Sequence, residues 1–155
     1  MEGSREKLAR LMSLNKMKQS RTVVIRNFFE KTGMTLSEGH FLSQGETASA
    51  RTMVYKRVQG CGTPEQLKNL GEVIEELKKI LELNQHLRDE KVILLHYRDA
   101  ESGAIIITFE EFSNLFEKII EFLGDQDIII FQTVGNFGIC FEAEEHNYLK
   151  TVWGV

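Results

Sequence analysis

The chain has 155 residues, 42% of them hydrophobic and 27% charged. That is the composition of one globular domain long enough to bury a core without a disulfide or metal staple, and it excludes a disordered chain. The longest apolar runs, such as Ile128 to Phe131, are too short to span a bilayer. The first twenty residues carry Arg5, Glu6, Lys7, Arg10, Lys16 and Lys18, leaving no uncharged stretch of secretion-signal length. Cys61 and Cys140 are too few for a disulfide framework. They read as free thiols of a reducing compartment, so a cytoplasmic protein with no membrane partner is expected.

Charge is unevenly placed. Residues 1–57 hold 11 Lys and Arg against 5 acids, and residues 58–155 hold 8 against 18. The basic third either faces an acidic partner such as nucleic acid or neutralises the acidic part within one fold.

In chain order, Leu8, Leu11 and Met12 recur at helical spacing, which predicts a helix over 4–18. Over 21–32, Ser20 as N-cap, Gly33 as stop and Phe28 and Phe29 four residues after Val24 and Ile25 favour a second helix. The Gly-, Ser- and Thr-rich stretch 33–50 reads as a loop, with one short strand at 40–42. RTMVYKRV (51–58) alternates like a half-exposed strand. Thr63, Pro64 and Gln66 spell a capping box, and Leu67, Leu70, Ile74, Leu77 and Leu81 follow at threes and fours, predicting a helix over 64–87.

KVILLHY (91–97) and AIIIT (104–108) predict a hairpin around RDAESG. Thr108 and Glu111 form another capping box, before a helix with the stripe Phe112, Leu115, Phe116, Ile119 and Leu123, stopped by Gly124. DIIIFQTV and FGICFEA read as a hairpin about a tight Gly135–Asn136 turn. AIII and DIIIF are apolar on both sides, as central strands covered on both faces are. The expected fold is therefore α+β: a mostly antiparallel sheet of about five strands, two long amphipathic helices and a helical, basic N-terminal segment, in a single domain over 1–155.

Chemical motifs fail their spacing. From Asp99 a calcium loop needs glycine at its sixth position and has Ala104. VQGCGTP joins two elements but has Glu65 where a dinucleotide fingerprint needs its third glycine, and no lysine follows as in a phosphate loop. His40, His86, His96 and His146 are not at metal-ligand spacing, so neither a metal nor another cofactor is expected. Ser13 and Lys16 form an isolated S-x-x-K, too short a pattern to carry meaning.

Three functional readings remain. The leading one is a non-catalytic protein-binding module, an inhibitor, adaptor or immunity-type partner of a basic protein. Its contact surface would combine the acids Glu142, Glu144 and Glu145 with the aromatic anchors Tyr148 and Trp153. The alternative is a nucleic-acid-associated regulator using Arg21, Arg26, Arg51, Lys56 and Arg57, with Phe41 and Tyr55 as stacking rings. The third is an enzyme using Cys61, just ahead of an expected helix, or His96.

Overall fold

Residues 2–133 and 136–154 are described by the computed structural model. Their elements are α1 (Glu2–Thr32), α2 (Gln44–Gly60), β1 (Glu65–Leu67), α3 (Leu70–Leu83), β2 (Lys91–Leu94), α4 (Asp99–Ser102), β3 (Ile105–Thr108), α5 (Phe109–Leu123), β4 (Ile128–Gln132), β5 (Gly138–Ala143) and β6 (Tyr148–Trp153). The fold is α+β. Six strands form one sheet in the order β1-β6-β5-β4-β2-β3, every neighbouring pair antiparallel.

Side chains alternate across a strand, and β4 and β5 use both faces. Ile128 and Ile130 with Ile139 and Phe141 enter one core, with α1, α3 and α5. Ile129 and Phe131 with Cys140 and Trp153 enter a second core, under α2. The doubly apolar reading therefore holds for β4. It fails for β3, which is the sheet edge: Ile106 is only half-buried, and Phe41 bridges to Ile105 to cover one end.

Helix α5 forms as expected. Thr108 accepts the Glu111 N–H at 3.0 Å, and the Glu111 carboxylate accepts the Thr108 N–H at 2.9 Å. The segments 4–18 and 21–32 join as one helix, since nothing between them breaks it.

Other expectations are corrected. The strand expected at 51–58 is the second half of α2. A Ser43–Glu46 capping box opens that helix inside the stretch read as a loop, with the Glu46 N–H donating to Ser43 Oγ at 3.1 Å. Its inward stripe is Thr47, Ala50, Arg51, Val54, Tyr55 and Val58, at perfect helical spacing but half polar. A reading that follows apolar side chains misses it. The short strand read at 40–42 is the end of a 3-10 turn and the single bridge at Phe41.

The helix expected over 64–87 is shorter. Residues 65–67 instead add a strand to the sheet, with Glu65 opposite Lys150, and Leu67 is buried there. Asn69 caps α3 by accepting the Glu72 N–H at 3.0 Å, so the Thr63–Gln66 box does not form. Leu77 and Leu81 are buried as read, with Val73 and Ile80, while Leu70 is exposed. The sixth strand, β6, was not expected. The Gly135 half of the turn read at Gly135–Asn136 lies outside the described residues. No helix among them is long and apolar enough to cross a membrane.

Candidate functional site

Where β2 leaves the sheet, Leu95 and His96 run on and the chain turns into α4, a single helical turn in place of the expected hairpin loop. Gly103 closes that turn at φ 88, and a Cβ there would lie 1.9 Å from the Leu42 carbonyl oxygen. Only glycine fits.

Asp99 is 2% exposed. Its carboxylate accepts the His96 backbone N–H at 2.9 Å and pairs with the Arg51 guanidinium from α2. A buried charge needs such partners, so the pair fastens α2 to the turn after β2. The His96 ring lies between α4 and α5. Its Nδ1 accepts the Arg98 N–H at 3.2 Å, which leaves Nε2–H to donate to the Gly103 carbonyl at 3.0 Å. Burial pushes the imidazole pKa down, against the raising effect of Asp99 and Gly103. A neutral ring with both nitrogens engaged holds the turn together.

Outside the Arg51–Asp99 pair a cleft of about 330 Å³ opens, lined among others by Leu95, Tyr97, Gln126, Asp127 and Ile129. Asp127 stands at its rim. One carboxylate oxygen accepts the Ala143 N–H at 2.8 Å and the other the Tyr55 hydroxyl at 3.4 Å. Burial, then the Asp127 charge, push the Tyr55 phenol up. Glu142 projects from the same face of β5 as Cys140, towards α2. Its carboxyl is pushed above the usual carboxylate range, first by burial and then by Asp127 and Glu144. Among the described residues no Lys, Arg or His stands within ion-pair distance of Asp127, Glu142 or Glu144.

The residues singled out in the sequence are thus partly regrouped. Glu142 and Glu144 do lie together. Glu145 is exposed beside its own neighbour His146, 3.7 Å away. Tyr148 turns to the opposite face of the sheet and packs on the first core. Trp153 is 9% exposed, its ring laid over Gly138, where a Cβ would sit 1.9 Å from Cζ2. As a core side chain it offers no anchor to a partner, which corrects that part of the expected surface. Parity along β6 separates Tyr148 from Trp153.

The basic set divides as well. Arg21 is buried, donating to the Ser102 carbonyl at 2.7 Å, pairing with Glu38 and covering the Phe41 ring at 5.1 Å. Arg51 is held by Asp99. Arg26, Lys56 and Arg57 are exposed, and Arg57 donates to the Asn136 side chain at 2.9 Å. Two of the five cations and the Phe41 ring therefore serve the fold, which breaks the expected basic stripe.

Cys61 is the C-cap of α2, so the helix end beside it is not the N-terminus expected. It is exposed, while Cys140 is buried with its thiol pushed up to about 12. One thiol per native chain should react with a disulfide reagent, and the second only in denaturant. Two equivalents reacting at once in the folded protein would show that β5 is not where it is placed.

Among the described residues no group of three or more His, Cys, Asp and Glu side chains is placed to hold a metal. Sequence reasoning gave Asp99 and Asp127 no role. A lone aspartate ahead of an apolar strand marks Asp127 only faintly, and the Arg51–Asp99 pair spans 48 positions.

In comparison with known proteins, the family model described as YxiF protein matches residues 24–153. No curated protein and no solved structure matches the chain.

Proposed function

The chain belongs to the YxiF family, and we propose that its matched body is a non-catalytic protein-binding module, acting as an inhibitor, adaptor or immunity-type partner. A basic segment of another protein docks on the acidic rim of the cleft between α2 and the start of β4. One observation carries the reading: Asp127, Glu142 and Glu144 crowd together with no cation of the described chain within ion-pair distance, and Glu142 is held above its ordinary pKa first by burial and then by these two neighbours. Like charges clustered at a cleft cost the free fold stability, and a partner's Lys or Arg relieves that cost on binding. Tyr55 and Tyr97 beside the rim supply aromatic surface. The excess of acids in residues 58–155 adds a field that speeds the approach of a basic partner.

The first test needs no partner. A carboxyl whose folded pKa is raised binds its proton more tightly in the folded state. Its favourable contribution is complete below the unfolded value, taken as 4.5, and is lost as pH rises through the folded value. Glu142→Gln should therefore raise the melting midpoint at pH 7. Because the group is partly solvated, the gain is about 0.5 kcal/mol, or roughly 1–2 °C. It should vanish near pH 4. A midpoint that falls at pH 7 would remove the crowding on which the reading stands. The second test uses an oligo-arginine peptide as probe. Binding should weaken with salt, and Asp127→Asn with Glu142→Gln should mainly slow association. Unchanged kinetics in that double variant would place the interface elsewhere.

A further inference from the structure

Helix α1 does two different things along its length. From Ser20 to Thr32 one side is buried on α4 and α5, through Ser20, Arg21, Val24, Phe28 and Thr32. From Gly3 to Lys16 every residue is exposed. That first half contains the densest group of exposed apolar side chains among the described residues: Leu14 at 42% exposed, on the Lys7 side of the helix, and then Leu8 at 59%, Leu11 at 51% and Met12 at 64%. At about 100° per residue, the last three fall on one stripe, roughly opposite the side that Val24 and Phe28 turn to the body. The stripe therefore points away from the fold and is not waiting to close on it.

The flanks say what kind of surface it meets. The same wheel places Arg5 and Lys16 along one margin of the stripe and Lys7 and Lys18 along the other, with Glu6 on the far side. Lys16 makes only a long contact of 3.8 Å to Glu101 and is 71% exposed. With both margins basic, pairing this stripe with itself in a second copy, parallel or antiparallel, sets like charges against each other. A protein groove that takes a helix reads anchors at i, i+3, i+4 and i+7. Leu8, Leu11 and Met12 fill the first three, and the fourth is Asn15. A plane of negative charge with an apolar layer beneath it matches all of these features. Short apolar side chains enter the interface, and the long basic stems lie along them with their heads at the phosphates.

We infer that the projecting half of α1 is a docking surface for an anionic lipid bilayer, lying along the headgroups without crossing them. Leu8, Leu11 and Met12 insert, and Arg5, Lys7, Lys16 and Lys18 contact phosphate. This attachment is independent of the acidic rim, which lies by α2 and is free to hold its own partner.

The test is co-sedimentation of the full chain with vesicles of phosphatidylcholine alone and of phosphatidylcholine mixed with phosphatidylglycerol. Binding to the mixed vesicles should exceed that to neutral ones by at least ~10-fold and fall steeply with salt. Leu11→Glu should abolish it while leaving the melt unchanged, because the side chain is exposed. Neutralising Arg5, Lys7 and Lys18 together to Gln should reduce it by a similar factor. Leu83→Glu is the control: that leucine is 77% exposed on α3, away from the stripe, and the variant should bind as the parent does. Equal binding to both vesicle types, or full binding by Leu11→Glu, overturns the inference. So does a dimer in light scattering that Leu11→Glu dissolves, since the stripe would then be covered by a second copy.

Discussion

Replacing Leu77 by Asp is expected to abolish the cooperative melt of this protein. Leu77 is 0% exposed, in the middle of α3 and within the core shared with α1 and α5. A carboxylate placed there has no cation to meet and must either stay ionised out of water or take up a proton. Either course costs several kcal/mol, and the lost packing of the leucine adds about 2–4 kcal/mol. A domain of this size has only about 5–15 kcal/mol in total. Far-ultraviolet circular dichroism through a urea titration measures it. A midpoint equal to that of the parent would mean that α3 does not present this face to the sheet.

The second large effect is at the Arg51–Asp99 pair. Asp99→Ala removes the acceptor of the His96 N–H and leaves the Arg51 guanidinium without its counter-ion. Breaking a buried pair from one side costs about 3–5 kcal/mol. Arg51 keeps 39% of its side chain in solvent, so the lower end applies, about 3 kcal/mol, or roughly 6–12 °C in melting midpoint. Asp99→Asn keeps an acceptor for the N–H and should lose less. Arg51→Met combined with Asp99→Leu should lie closer to the parent than Asp99→Ala does, because no charge is then stranded. A double variant worse than the sum of the singles would mean that the pair is not what joins α2 to the turn.

These two sites differ in how far the sequence announces them. Leu77 sits in a run of apolar residues at helical spacing, and its burial follows from periodicity, although the helix begins at Leu70 and not at Pro64. Nothing near Arg51 or Asp99 in the chain names the other. Their meeting depends on α2 being a helix, and its inward stripe includes Thr47 and Arg51, which carry no hydrophobic signal. The Ser43–Glu46 capping box was legible, and the glycines and serines around it masked it. The sixth strand escapes a reading by apolar alternation because Lys150 and Thr151 interrupt both faces of YLKTVW, and its pairing with both β5 and the brief β1 is a long-range event. That omission carried into the site: only when β6 is a strand do Tyr148 and Trp153 fall on opposite faces.

Local pattern was enough for the α+β class, the burial of Leu77 and Leu81 in α3, the apolar stripe of α5, the doubly apolar β4 and the cap at Thr108. All of these rest on local periodicity and on side chains that bond within four residues of themselves. Tertiary structure alone decided which acids share a cleft, that Arg21 and Arg51 are spent inside the fold, and that Leu8, Leu11 and Met12 remain in solvent. The physical reason is that a charge or an apolar side chain carries its type in the sequence. Whether it is paired or covered depends on residues tens of positions away, brought near only when the sheet and its helices pack.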